Sequence, residues 1–131
     1  MRREEFDKAM SRTERIGFED LHFDGGSASL VHDGTTFFAD ADGTAGISGN
    51  SWDARAKYRI ISSPEEYDVE FRMDGKRFRF SEALSNEEMP LPQECVILLT
   101  AAVVMANIEI VHGNEECAVG FPEWAFWTLD D

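Results

Sequence analysis

The chain has 131 residues, a formal net charge of −14 at pH 7, 43% hydrophobic and 29% charged positions. That length makes one domain whose core needs no disulfide or metal staple, and the charge disfavours non-specific contact with nucleic acid or anionic membranes. Met1 to Asp7 lead into no apolar stretch such as a secretory signal requires, so a cytoplasmic location is expected, with Cys95 and Cys117 as reduced, buried thiols, a bond between them being the alternative that spacing alone does not decide.

Phe6, Ala9, Met10 and Thr13 fall at helical spacing between Arg3 and Arg15, which predicts a short amphipathic N-terminal helix ended by Gly17. Ile16 to Phe23 reads as an imperfect strand closed by Asp24, Gly25 and Gly26. Three Asp-Gly pairs follow, each a strong hairpin signal when alternating sequence flanks it. Asp33-Gly34 joins Ala28–His32 to Thr35–Ala39 and sets Leu30 opposite Phe37. Asp42-Gly43 joins the second of these strands to Thr44–Ser48 and, as a two-residue turn, sets Phe38 opposite Ile47. Asp74-Gly75 sets Met73 opposite Lys76, Arg72 opposite Arg77, Phe71 opposite Phe78, Glu70 opposite Arg79 and Val69 opposite Phe80. One face of that hairpin is then apolar and the other charged. Before it, Trp52 to Ile60 alternates, with Trp52, Ala54, Ala56, Tyr58 and Ile60 on one face and Asp53, Arg55, Lys57 and Arg59 on the other, until Ser62-Ser63-Pro64 breaks the strand.

From Cys95 to Ala106 only Thr100 is polar, and an element apolar on every side has to be enclosed. The run falls short of the about 20 apolar residues a membrane span needs, so it reads as a buried core helix. Pro92 suits the first helical position and Glu94 the positive end of the helix dipole, placing the helix at about 92–106 with Asn107 in a left-handed cap and Ile108–Val111 as a strand. A single longer helix ending at His112, capped by Gly113, fits the same residues. Beyond it, Cys117–Phe121 reads as a strand that can pair with Ile108–Val111. The tail Glu123–Leu129 places Trp124 and Phe126 on one face and Trp127 and Leu129 on the other. Trp124 and Trp127 are the candidate apolar interaction surface if one face stays exposed. The expected fold is α+β: a mostly antiparallel meander or barrel of seven to nine strands wrapped around one hydrophobic helix, with a short N-terminal helix.

The stretch Phe37-Phe38-Ala39-Asp40-Ala41-Asp42-Gly43-Thr44-Ala45-Gly46-Ile47, the strand Lys57-Tyr58-Arg59-Ile60-Ile61 with Pro64 close behind, and the late apolar helix Cys95–Ala106 together resemble the tubby-like superfamily, which includes tubby, LURP-one and phospholipid-scramblase proteins. The resemblance spans roughly residues 35–110 and implies a closed barrel around a hydrophobic helix. It further implies a role as a membrane-phosphoinositide binder, anchor or adaptor, with no catalytic triad. Other curved sheets that grip a helix, such as cystatin-like ones, fit the same pattern of elements.

No stretch carries a specific catalytic, cofactor or metal motif. Asp40, Asp42 and Thr44 alternate like the first ligands of a calcium loop, but Ala45 stands where that loop needs glycine and Ser51 where it needs glutamate. His22, His32 and His112 have no metal-ligand spacing, and Gly43, Gly46 and Gly49 lie in turns with neither a P-loop lysine nor a hydrolase elbow. The feature that stands out is basic. Every charged group in 16–54 and in 80–131 is acidic, whereas Arg55, Lys57, Arg59, Arg72, Arg77 and Arg79 share the outer face of consecutive strands, with Asp53, Asp68 and Glu70 available to neutralise them. This face is the candidate anion or partner-binding site of a non-catalytic binding or adaptor domain. Two other functions fit the sequence. One is a small acidic inhibitor or immunity-type protein presenting Glu82, Glu87, Glu88, Glu115 and Glu116 to a basic enzyme surface; the other is a small-ligand carrier or enzyme with a pocket between helix and sheet.

Overall fold

The computed structural model describes residues 1–10, 22–49, 53–63, 65–86, 88–89 and 91–112. Helix α1 (Arg3–Met10) precedes seven strands: β1 (His22–Asp24), β2 (Ser27–His32), β3 (Thr35–Asp40), β4 (Thr44–Ser48), β5 (Asp53–Ser62), β6 (Tyr67–Met73) and β7 (Lys76–Arg79). A short helix α2 (Phe80–Ser85) and a long one, α3 (Gln93–His112), complete the described chain. All strand pairs are antiparallel and run in sequence order from β1 to β7. Six strands have four residues or more, and β1 is a three-residue edge. Among the described residues β1 pairs only with β2 and β7 only with β6, so the sheet is open where a barrel was a candidate. After four residues the chain leaves β7 directly into α2, and no β7 residue is left to extend toward β1.

Two hairpins follow the Asp-Gly signal closely. Asp33 and Gly34 have φ of 50° and 76°, Asp74 and Gly75 of 51° and 76°. Positive φ at both central residues is the primed-turn geometry that matches strand twist. Leu30 therefore faces Phe37, and Arg72 faces Arg77. The Asp42-Gly43 turn corrects the expected register. Phe37, not Phe38, lies opposite Ile47, and Phe38 faces Gly46. The loop has three residues, Ala41 to Gly43, with Gly43 at φ 101° and its N–H on the Asp40 carbonyl at 3.1 Å. A third loop residue moves the pairing by one position. The shift brings Phe37 and Ile47 together in the core and the Phe38 ring over Gly46, where a Cβ would press into that ring and come within 2.8 Å of the Ala54 carbonyl oxygen.

The inner sheet face, with Leu30, Phe37, Ala39, Ala45, Ile47, Ala56, Val69, Phe71 and Phe78, packs into one core with α3. Helix α3 lies against β2, β3 and β4 and touches α1 and α2. Every residue from Val96 to Ala106 is buried, as an all-round apolar element requires. Each fully buried aliphatic side chain contributes about 1.5–3 kcal/mol through removal from water.

The C-terminal boundary of this helix corrects the 92–106 expectation. The helix continues to His112, and Ile108–Val111 is helical, not a strand. Asn107 does not cap it; its side-chain amide donates to the Val103 carbonyl at 2.8 Å and to the Tyr58 hydroxyl at 3.2 Å. That tertiary partner stabilises the helical course where the local sequence also allows a stop. At the other end Pro92 stands just outside the helix, and its carbonyl accepts the Val96 N–H at 3.1 Å.

A second correction concerns Phe80, which opens α2 instead of pairing with Val69. Its ring meets Phe6 of α1 with centroids 5.2 Å apart. Asp68 holds this corner: although on the charged-side register of β6, it is only 1% exposed, and its carboxylate accepts the Ser81 N–H at 3.1 Å and the Ser81 hydroxyl at 2.6 Å. It thus caps α2 from a neighbouring strand. Next to it in β6, Tyr67 lies under Arg3 of α1, whose guanidinium is 4.6 Å from the ring centroid and donates to the Tyr67 hydroxyl. The expected strand Cys117–Phe121 lies outside the described residues. Cys95 has no disulfide partner among the described residues and is half-buried, more open than expected; Cys117 lies outside the described residues.

Candidate functional site

Strand alternation turns Asp53, Arg55, Lys57 and Arg59 of β5 outward, and all four are exposed. Register then decides which cations meet. Lys57 pairs with Arg72 and Arg72 with Arg77, so three cations stand side by side on adjacent strands. The strands are about 4.8 Å apart, which gives the row a width of about 10 Å. Arg72 and Arg77 are exposed, and among the described residues none of the three has an acidic partner. Lys57 donates to the Thr44 hydroxyl, at 3.1 Å.

The next row is Arg59, Glu70, Arg79, and it is compensated. Arg59 Nε lies 3.2 Å from Glu70 Oε1, and the Glu70 side chain is 15% exposed against 67% for that of Arg59. Arg55 stands apart from both rows: it pairs with Gly46 and leans over the Phe38 ring, 5.9 Å from its centroid. Arg79 is half-buried at the start of α2, where its N–H is held by Glu82 Oε2 at 3.1 Å. Of the six predicted basic residues, the structure unites Lys57, Arg72 and Arg77 as a free row, with Arg59 beside it, and sets Arg55 and Arg79 at the margins. Asp68, expected as a neutralising charge on this face, is committed to Ser81 instead. A shallow cleft of about 110 Å³ opens here, lined by Lys57, Tyr58, Arg59, Glu70 and Arg72.

Behind this face, Tyr58 points inward. Its hydroxyl donates to the Asp40 carbonyl and accepts from Asn107. Burial pushes its pKa up, and the nearby Asp42 and Asp40 charges add to that shift against the lowering effect of the Asn107 and Gly43 hydrogen bonds. The calcium-loop look-alike is explained locally. Asp40 Oδ1 accepts the Ser27 hydroxyl at 2.6 Å, and Asp42 Oδ1 accepts the Thr44 N–H at 3.0 Å, an Asx turn. No group of three or more His, Cys, Asp or Glu among the described residues is placed to hold a metal ion.

His32, at the end of β2, lies 2.8 Å from Glu94 Oε1 at the start of α3 and 3.7 Å from Asp33. Sequence spacing gave no sign of the joint to Glu94, since His32 and Glu94 are far apart in the chain. Burial raises the pKa of the Cys95 thiol, and Glu94 raises it further. This is the opposite of what a nucleophilic cysteine needs. No helix among the described residues is long and apolar enough to cross a membrane. Of the acidic residues predicted for an inhibitor surface, Glu82 and Glu88 are exposed, while Glu87, Glu115 and Glu116 lie outside the described residues, as do Trp124 and Trp127.

Comparison with protein-family models, with curated proteins and with solved structures yields no match for this chain.

Proposed function

We propose that the chain is a cytoplasmic, non-catalytic binding or adaptor domain that recognises an anionic group or acidic partner through the outer face of β5, β6 and β7. The observation that supports it is the free row Lys57, Arg72, Arg77 on a chain whose net charge is −14. Like charges directly opposite one another destabilise a sheet. This row therefore costs stability in the free protein, and a bound anion removes that cost. The tubby-like resemblance agrees with the reading, because it implies binding or anchoring with no catalytic residues to carry over.

Amide NMR titrations with a short polyglutamate peptide and with pyrophosphate test the reading. At least one anion is expected to shift resonances clustered at 57, 72 and 77. Those shifts are lost in the Arg72→Glu/Arg77→Glu double variant, while its melting temperature does not fall. The absence of clustered shifts with both anions removes this face as a binding site.

A further inference from the structure

The geometry points to a narrower ligand class: a compact phosphate-type dianion on a small molecule, held by Lys57 and Arg72 in the cleft beside Glu70, with Arg77 completing the charge. This inference rests on the reading of the face as an anion site and adds the size and valence of its occupant.

Size comes first. The cleft, at about 110 Å³, is well below the roughly 300 Å³ at which pockets for drug-sized ligands begin, and it has room for one phosphate group with the rest of the ligand outside. The surroundings also limit a larger partner. Asp42 and Asp74 lie exposed in the turns that flank the row, and Glu70 borders it on the third side. Attraction to the three cations fades over a Debye length of about 8 Å at physiological salt. A flat membrane or an extended polyanion that covers the row thus also covers these acids and meets the field of a strongly negative protein. A single small oxyanion covers the row alone.

Valence comes second. Arg59 already holds a carboxylate, that of Glu70, at 3.2 Å. A monocarboxylate ligand entering beside it leaves two of the three row cations uncompensated. A phosphate dianion presents three oxygens and two charges, so the Arg72 guanidinium binds two oxygens as a fork and the Lys57 ammonium the third as a point charge. Arg77, one strand beyond, neutralises without touching the cleft lining.

Calorimetric titration of the whole chain at constant ionic strength separates the sources of the dianion. The probes are inorganic phosphate, pyrophosphate, a hexose phosphate, the polyglutamate peptide and phosphatidylserine vesicles. The expected result is saturable binding of one phosphate compound per chain, weakened about tenfold or more by Lys57→Gln and by Arg72→Gln, each removing a charge-assisted hydrogen bond. Lys76→Gln, at the start of β7 opposite Met73 and outside the row, leaves it unchanged. Thermal melts of the three variants confirm that each is folded. Binding of polyglutamate or vesicles at the row with no phosphate binding overturns this inference and leaves the anion-binding reading standing. Phosphate binding indifferent to Lys57 and Arg72 overturns it as well, and binding of no anion at all overturns both.

Discussion

Thr100 is the one polar residue of the apolar run, it is fully buried, and its hydroxyl has no hydrogen-bond partner among the described residues. An unsatisfied buried hydroxyl costs about 1–3 kcal/mol, and valine has nearly the same shape. Thr100→Val is therefore expected to raise stability by about 1 kcal/mol, read as a higher urea midpoint at unchanged slope. An unchanged or lower midpoint shows that the hydroxyl is satisfied or that the site resists the methyl group. Single residues also separate what was legible in the sequence from what was not. Asp74 and Gly75 announce their hairpin because few other residues tolerate φ of 51° and 76° in succession. Asn107 announces nothing, because it suits a helix end and a hydrogen bond to a distant tyrosine equally well, and only the position of Tyr58 settles its role.

Among the elements, α2 depends most on a single tertiary contact. It has six residues, too few to persist alone; Glu82 of its own first turn accepts the Arg79 N–H, and Asp68 of β6 holds the Ser81 N–H and hydroxyl from outside. Asp68→Ala leaves the Ser81 N–H and hydroxyl without this acceptor, so a loss of about 2–3 kcal/mol in chemical denaturation is expected. Ser81→Ala is expected to lose less than half of that, because the backbone N–H bond survives. Equal losses would mean that the hydroxyl carries the whole contact. The basic rows were legible because a period of two fixes which side chains face outward once the turn is known. The removal of Asp68 from that face was not legible, because it depends on a helix at residues 80–85 that carries too few positions for a periodic signal. The β3–β4 register was missed for a related reason: two-residue and three-residue loops both accept Asp42-Gly43, and the choice is made by the packing of Phe37 against Ile47.

At the scale of the whole molecule, charge is the dominant feature. A net charge of −14 on a chain of 131 residues repels itself in the compact state, and added salt screens that repulsion. The melting temperature is expected to rise between low salt and about 1 M sodium chloride, with most of the gain at the low end, where the Debye length contracts fastest. A fall with salt would show that attractive pairs such as Arg59–Glu70 outweigh the net repulsion. The meander has a further consequence, in time instead of energy. Each strand pairs with the one made just before it, so the whole ladder can zip up from local contacts that form early. Over β2, β3 and β4, however, its inner face is covered by residues 96–106, which leave the ribosome only after the last described strand has been made. During synthesis the nascent sheet thus presents Leu30, Phe37 and Ile47 uncovered until the helix arrives. That interval is when the chain is most exposed to aggregation and most dependent on chaperones.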